Sequence, residues 1–576
     1  MYLRATAQKR KDGSVVRYLQ LAQNVWDPSK KRSRAEIVYS FGREDPANRA
    51  ALLRLVTSVT RFLSPEVALD AVADDGFSFT ESRPLGGAYV LDTLWQQLGI
   101  DATMRRLLKG RRLDERVERV LFALVANRAL CPSSKLAAAR WVSEDVEIQG
   151  LPGATDDACY RAMDFLLEIA PSLEKEVFHQ VANLLNLEVD LLFFDTTSTY
   201  FCLDEADEPV ARDGRGRRHS VSVDTDTGGG IEAGGTSSGF RAYGKSKDHR
   251  DELPQIVIGM AVTREGIPVR VWSWPGNTGD SALIRQVKED LRDWTLSRIV
   301  WVADRGFSSA LNRRYLRRGD HHYIIGERLR SGSAMATAAL SRAGRYQEVR
   351  ENLRVKEVKI AEGERFVICY NPEAAERDAA VRARLVARLQ DVTANSDRLS
   401  GAKRAELRGV ISTKPGLHRY LRVTAGGLLR IDGKAITAEE KLDGKYLLRS
   451  SDPSLSAEDI ALGYKQLLEV ERGWRDMKHV LDLRPVYHRK EERIRAHVLL
   501  CWLALLLIRV SETGCGDTWP NLRRELEKMQ VGTFEGPAGT FRKRTETTVK
   551  QHAILGRLKV PEPPKIQELI PAAEAS

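Results

Sequence analysis

Near the start of the chain, apolar and polar positions alternate with period two in two short runs, RYLQLAQNVW and AEIVYSFG, separated by the basic turn DPSKKRSR. That alternation predicts a β-hairpin with a positively charged loop within residues 1–85. Over residues 86–185 the period changes. YVLDTLWQQLGI, RVERVLFALVANRAL, SSKLAAARWVSE and ACYRAMDFLLEIAPSLEKEVFHQVANLL place apolar residues three and four apart, which predicts a small helical domain. LLFF at 191–194 then reads as a buried strand, and the Gly- and Asp-rich stretch 203–250 as a loop. QIVIGMAV and PVRVWSWPG form a predicted hairpin, followed by the helix SALIRQVKEDLRDW, the strand RIVWVAD, the helix SSALNRRYLRRG and the strand HHYIIGERL.

Three strands, helix, strand, helix, strand is the order of a ribonuclease-H-like sheet, here over residues 186–330. The pattern then breaks. Residues 331–455 mix strand-like pieces with one charged helix, EAAERDAAVRARLVARLQDV, and read as a mainly β insertion. Helical periodicity resumes over 456–510, and residues 511–576, with PEPPK at 561–565, read as a flexible C-terminal tail. The expected fold class is therefore multidomain α/β: a ribonuclease-H-like core interrupted by an insertion and preceded by a β-hairpin and helical regions.

Composition narrows the class. At 576 residues, 42% apolar and 29% charged, the chain has the balance of a folded multidomain protein. The longest apolar run, Val498 to Ile508, is short for a bilayer and flanked by Arg495 and Arg509, so a buried core helix is expected rather than a membrane span. MYLRATAQKRKDG lacks the apolar segment of a signal peptide, which points to the cytoplasm. Six scattered cysteines without Cys-x-x-Cys pairing argue against a zinc site or a disulfide framework. A net charge of +11 favours a polyanionic partner. The Gly-rich stretch Gly228 to Gly239 has neither strand before it nor helix after it, and the GKS at 244–246 lacks the upstream glycine spacing of a phosphate-binding loop. No nucleotide cofactor is expected.

The chemistry-bearing signal is Asp195, which follows Phe194 directly at the end of that apolar run. A carboxylate set against so much apolar surface needs a cationic partner. RIVWVADRGF repeats the arrangement with Asp304, on a strand the order places beside the first. Either Asp alone is usually a turn or cap residue; two at neighbouring strand ends in one sheet could share divalent ions. On the helix that follows, Tyr464, Leu467, Leu468, Glu471, Arg475 and Lys478 share a face that begins apolar and turns charged. Such a face suits delivery of Glu471 to a metal and of Arg475 and Lys478 to phosphate. Glu469 falls well around the helix from Glu471 and is expected to face solvent. Arg241, Lys245, Lys247, His249 and Arg250 form a basic cluster, either solvated or in contact with DNA backbone. Trp474 is either core or a surface on which a displaced base stacks.

FFDTTSTYF, WVADRGF and the Tyr464–Lys478 helix resemble the three signatures of DDE transposases of bacterial insertion sequences, in the branch whose last motif is Tyr-x2-Arg-x3-Glu-x6-Lys. Leu467 stands where that branch has Arg, leaving Lys465 and Arg472 as candidates for the missing contact. YGKSKDHRDELPQIVIGM, WPGNTGD and PVYHRKEERIRAH are also similar to the family, so the resemblance spans roughly residues 185–510. It implies a transposase in which Asp195, Asp304 and Glu471 hold two Mg2+ ions, with Mn2+ able to substitute, for strand cleavage at insertion-sequence ends and 3′-hydroxyl strand transfer into target DNA. It further implies DNA contacts from Tyr464, Lys478, Arg475, Arg472, Arg305, Lys245, Lys247, Arg250 and Trp474, recognition of terminal inverted repeats by the N-terminal and helical regions, and a homodimer on DNA. The competing readings are a DNA-binding relative that no longer cuts and a structure-selective nuclease with the same core.

Overall fold

The computed structural model describes residues 2–10, 15–28, 30–46, 48, 52, 55, 78–185, 190–203, 205–213, 215–218, 236–294, 298–330, 333–361, 364–484, 486–536 and 539–571. The chain forms two compact units, one drawn from residues 1–82, 531–545 and 564–576, the other from 83–530 and 546–563.

In the first unit, the alternating runs form the expected hairpin, with Val15–Asp27 antiparallel to Arg32–Arg43. A strand unassigned from sequence, Tyr2–Lys9, pairs with the other side of Val15–Asp27 and makes a three-stranded sheet. Residues 511–576 are not a featureless tail. Gln530–Gly536, Gly539–Arg544 and Ile566–Pro571 join Ser78–Pro84 in a four-stranded sheet, and PEPPK leads directly into its last strand. Phe534 and Phe541 stack across that sheet with ring centroids 4.8 Å apart, and this cross-strand pairing orders a segment whose proline content suggests a loose chain.

The second unit opens with the helices Gly86–Gln97, Ile100–Leu108, Val117–Leu130, Lys135–Glu144 and Asp156–Leu185. A nine-stranded sheet follows, built from β1 (Leu191–Tyr200), β2 (Gln255–Val262), β3 (Pro268–Pro275), β4 (Val300–Ala303), β5 (His322–Glu327), β6 (Gln347–Arg350), β7 (Leu353–Ala361), β8 (Glu364–Tyr370) and β9 (Lys445–Ser450). Its order is β6-β7-β8-β9-β5-β4-β1-β2-β3. β4 runs parallel to β1 and β5, whereas β1, β2 and β3 form an antiparallel meander. Helix α1 (Asp280–Asp290) links β3 to β4, and α2 (Ala310–Leu316) links β4 to β5.

Two expectations for residues 331–455 are corrected. The strands do not make a separate β domain: β6, β7 and β8 extend the central sheet through β9, which bonds to β5 as well as β8. The segment is also richer in helix than in strand, with helices at Ala334–Ser341, Pro372–Thr393, Gly401–Ser412, Pro415–His418 and Gly433–Glu440. Apolar faces at Leu389, Ile411, Leu417 and Leu429 bury against one another in a satellite core, and that packing decides for helix where short apolar pieces are ambiguous alone.

Leu192 and Phe194 project to one face of the sheet and join Trp272, Trp274, Trp301, Phe307 and Ile325 in its principal core. The other face is covered by α3 (Ala457–Lys465), α4 (Leu468–His479) and α5 (Glu491–Cys515). Helix α5 is the one helix among the described residues long and apolar enough to cross a membrane, and it is buried within the structure.

Gly259 of β2 marks how tightly the first core is closed. A Cβ there would lie 2.6 Å from the Trp274 ring and 3.0 Å from that of Phe194. Gly259→Val is expected to destabilise by about 2–3 kcal/mol through overpacking, read as a lowered urea midpoint with an unchanged slope.

Candidate active site

The geometry of the site starts from strand register. Ala303 of β4 lies opposite Phe194 of β1 on one side and Ile325 of β5 on the other. Phe194 and Ala303 both enter the principal core, so the next residue on each strand, Asp195 and Asp304, projects to the opposite face. Asp304 keeps extended backbone, φ −72° and ψ 167°, before the chain turns into a short 3-10 segment at Arg305–Phe307. Neighbouring strands are about 4.8 Å apart, so the two carboxylates stand side by side. The aromatic residues flanking them fix the turn after Asp304 against β1: Phe194 and Phe307 pack edge-on with ring centroids 5.4 Å apart.

Asp195 is half-buried, and the groups around it come from the loop before β2 and the first turn of α1. The Lys247 ammonium lies 3.8 Å from Asp195 Oδ1 and 3.3 Å from Asp280 Oδ2. It donates to the Thr196 carbonyl oxygen at 2.5 Å and to Thr196 Oγ1 at 2.6 Å, while Thr196 Oγ1 donates to Asp280 Oδ1 at 2.9 Å. Burial pushes the Asp195 carboxyl up to about 6; Lys247 and the Thr196 backbone pull it down, while Asp304 and Asp280 raise it further. The cation that the sequence demands beside Asp195 is therefore supplied in this structure by a lysine.

Asp304 accepts a hydrogen bond from the Tyr464 hydroxyl at 3.2 Å. Burial raises the phenol of Tyr464, and the Asp304 charge raises it further, so it stays a donor. Tyr464 stacks on Tyr446, with centroids 6.1 Å apart. Gly326 of β5 leaves just enough room for it, since a Cβ there would lie 2.5 Å from the Tyr464 hydroxyl. Gly326→Ala is expected to push Tyr464 off Asp304 and slow any Asp304-dependent chemistry about tenfold while shifting the melting temperature little; a rate measurement paired with a melting curve checks both.

The helix expected over 464–478 is two helices. α3 ends at Lys465 and α4 begins at Leu468. The buried positions of α4 are Val470, Gly473, Trp474 and Met477, with Leu467 buried at the junction. The face expected to turn inward is thereby corrected: Leu468, Glu471 and Arg475 are exposed. The register follows from Gly473, which sits on Met260, the β2 residue opposite Asp195. α4 thus covers the face on which Asp195 projects, but the Glu471 side chain makes no hydrogen bond or ion pair among the described residues. No group of three His, Cys, Asp or Glu that could hold a metal ion is found among them. The structure therefore brings together Asp195 and Asp304 and leaves Glu471 outside that pair. Glu469, expected in solvent, is partly covered, 2.9 Å from where a Cβ on Gly266 would lie and 3.7 Å from Arg472.

Several expected DNA contacts are otherwise engaged. Trp474 is 5% exposed and belongs to the core under α4, so its ring is not offered to a base. Lys478 pairs with Asp248 at 2.9 Å, and Arg484 pairs with the same carboxylate at 3.0 Å. Arg472 pairs with Glu512 at 2.9 Å. Arg250 pairs with Glu252 and lies over the Tyr200 ring. Lys245, Arg305 and Arg475 are exposed. Of the Gly228–Gly239 stretch, residues 228–235 lie outside the described residues.

Sequence reasoning missed Asp280, Thr196 and Asp248 as parts of the site. Their signals were in stretches already set apart: Asp280 ends WPGNTGD, Thr196 follows Asp195, and Asp248 follows Lys247 in GKSKDHR. Hard carboxylate oxygens on two adjacent strands, Asp195 within β1 and Asp304 just past the end of β4, beside an ammonium, fit a hard divalent cation. Mg2+ in particular is commonly held by one or two carboxylates together with substrate phosphates and water.

Residues 230–507 match the transposase DDE domain. Asp304, Glu471, Lys247 and Asp280 fall inside the DDE-domain match, and Asp195 lies before it, tied to the matched region by the β1–β4 register. Residues 3–70 match the N-terminal domain of IS1634 family transposases. No curated protein matches the chain. Among solved structures, the cryo-EM structure of piggyBac transposase synaptic complex with hairpin DNA is 12% identical, covering 77% of this chain and 78% of that one at a TM-score of 0.34.

Proposed function

We propose that this chain is a DDE-type transposase with a ribonuclease-H-like core, cleaving DNA strands at insertion-sequence ends and joining the freed 3′-hydroxyl to target DNA. The observation that carries the reading is the pairing of Asp195 and Asp304 at adjacent strand positions within and beside the DDE-domain match. The order β3-β2-β1-β4-β5, an antiparallel meander followed by two parallel strands, supports a ribonuclease-H-like core.

In this reading Asp195 and Asp304 would hold divalent ions, Mg2+ or Mn2+, and Glu471, exposed on α4, would complete the set. The ions supply activation of the attacking oxygen and neutralisation of the leaving one. The rest falls to the protein's own groups. Tyr464 orients the Asp304 carboxylate through its hydroxyl, and the Phe194–Phe307 contact holds the turn after Asp304 against β1. Exposed Lys245, Arg305 and Arg475 meet DNA phosphates in this reading, a sequence-independent and salt-sensitive contribution. Lys478 reaches phosphate only by leaving Asp248. The N-terminal and helical regions recognise terminal inverted repeats, two copies of the chain hold the two ends, and the protein works in the cytoplasm on the nucleoid.

The test is Mg2+-dependent cleavage of DNA carrying the inverted repeats that flank the reading frame, with Asp304→Asn beside the wild type. End-specific cutting that the variant lacks supports the reading. Binding without cutting favours an inactive relative, and cutting without regard to end sequence favours a nuclease.

A further inference from the structure

The surroundings of the Lys247 ammonium are those of a bound cation. An ammonium has three N–H donors. Here they meet the Thr196 carbonyl oxygen, Thr196 Oγ1 and Asp280 Oδ2, at 2.5, 2.6 and 3.3 Å. Asp195 Oδ1, at 3.8 Å, is a fourth oxygen within charge range. The set of a carbonyl, a hydroxyl and two carboxylates is the hard-oxygen shell that a divalent ion also seeks. The segment bearing Lys247 is itself pinned to the sheet, because its backbone N–H donates to Ser198 Oγ at 2.8 Å. Next in sequence, Asp248 holds Lys478 and Arg484. Residues 247 and 248 thus tie the Asp195 strand to the end of the Glu471 helix.

Lys247 has somewhere to go. Its side chain is 36% exposed, and it borders a cleft of about 460 Å3 lined by Thr197, Ser198, Lys245, Asn277 and Asp280. A long, strongly hydrated ammonium on a four-carbon stem can swing into such a cleft without backbone movement.

We propose that Lys247 is a positioning residue that acts as an internal stand-in cation: it holds the Asp195 side of the site in order before metal is loaded, braced by Asp280, and gives up that position when a divalent ion takes it. This rests on the metal reading proposed above. Lys247 then competes with metal instead of assisting its capture, which separates it from a lysine that only contacts DNA.

The experiment uses the full chain at pH 8, without DNA, and Mn2+ as the probe. Mn2+ affinity is measured by calorimetry for the wild type, Lys247→Met and Asp195→Asn. In parallel, acetylation of Lys247 in the wild type is followed by mass spectrometry with and without Mn2+. Lys247→Met is expected to bind Mn2+ about tenfold more tightly, because the ion no longer has to displace an ammonium from its charge-assisted hydrogen bonds. Asp195→Asn should bind more weakly, and Lys247 should become several-fold more reactive when Mn2+ is present. The labelling measurement needs no variant, so it stands even if Lys247→Met folds poorly. Equal or weaker Mn2+ binding by a folded Lys247→Met, or Lys247 labelling unchanged by bound Mn2+, overturns the proposal. Absence of Mn2+ binding by the wild type and the variant alike overturns the metal reading itself, and this inference with it.

Discussion

Asp304→Asn is expected to lower Mg2+-dependent cleavage on the order of a thousandfold or more, the scale seen when a group acting directly on the reacting centre is removed. The reason is local. Asn keeps the shape and can still accept the Tyr464 hydrogen bond, so the turn after β4 and its Phe307 anchor should survive. What is lost is one of two adjacent negative charges, and with it the means of holding a divalent ion between two neighbouring strands. DNA binding measured at the same salt should change little, since the phosphate contacts proposed above come from other residues. A variant that loses DNA binding in parallel with cleavage would count against a role in the chemistry, and one that cleaves at the wild-type rate would end it.

Lys135→Met is expected to stabilise the protein by about 3 kcal/mol at neutral pH. Lys135 begins the helix Lys135–Glu144, is 3% exposed, and its ammonium has no hydrogen bond or ion pair among the described residues. Burial pushes its ammonium down to about 7, and nearby Arg128 lowers it further. The unfolded chain holds the ordinary value of 10.5, so between pH 10.5 and about 7 the unfolded state binds a proton that the folded state does not. Stability contributed by this group is therefore present above 10.5, falls as pH drops, and is fully lost below about 7. Each pKa unit corresponds to about 1.4 kcal/mol, and relaxation of the buried site reduces the total. The check is urea unfolding at pH 7 and pH 9. The wild-type midpoint should rise with pH more steeply than that of Lys135→Met, and the variant should be the more stable of the two at pH 7. A variant less stable than wild type at both pH values would show that the Lys135 stem contributes packing that outweighs the charge.

Much of the central sheet could be read from apolar periodicity. The runs ending at Phe194 and Ala303 are too uniformly apolar to be half-exposed strands, and the helices between them follow from spacing alone. The two aspartates were legible for the same reason, because a charge at the end of such a run violates the local pattern and needs a partner. The partner itself was not legible. Lys247 lies in a polar segment that looks like any solvated loop until β1 and β2 pair and bring Ser198 and Thr196 beneath it. Asp280 likewise reads as an ordinary first-turn acid of α1, where negative charge is favoured at any helix N-terminus.

The helix after residue 456 shows how a correct period can give the wrong face. Tyr464, Leu467, Glu471, Arg475 and Lys478 share a stripe only if one helix runs through them. The chain instead breaks at Gln466–Leu467, and the second helix turns Val470, Gly473, Trp474 and Met477 inward. Side-chain identity did not decide that. The close approach of Gly473 to Met260 did, because only a residue without a Cβ lets the helix lie so low on the sheet.

The sequence by itself determined most of the strands and helices and singled out the two acids that follow apolar runs, because burial period and the cost of an apolar-bound charge are local properties of the chain; that the first strand runs on past Asp195 to Tyr200 it did not. Only the tertiary structure decided which cation meets Asp195, which face of the Glu471 helix looks outward, and that the inserted segment extends the sheet. Those outcomes depend on strand pairing and close packing between residues far apart in the chain, and no run of neighbouring residues encodes them.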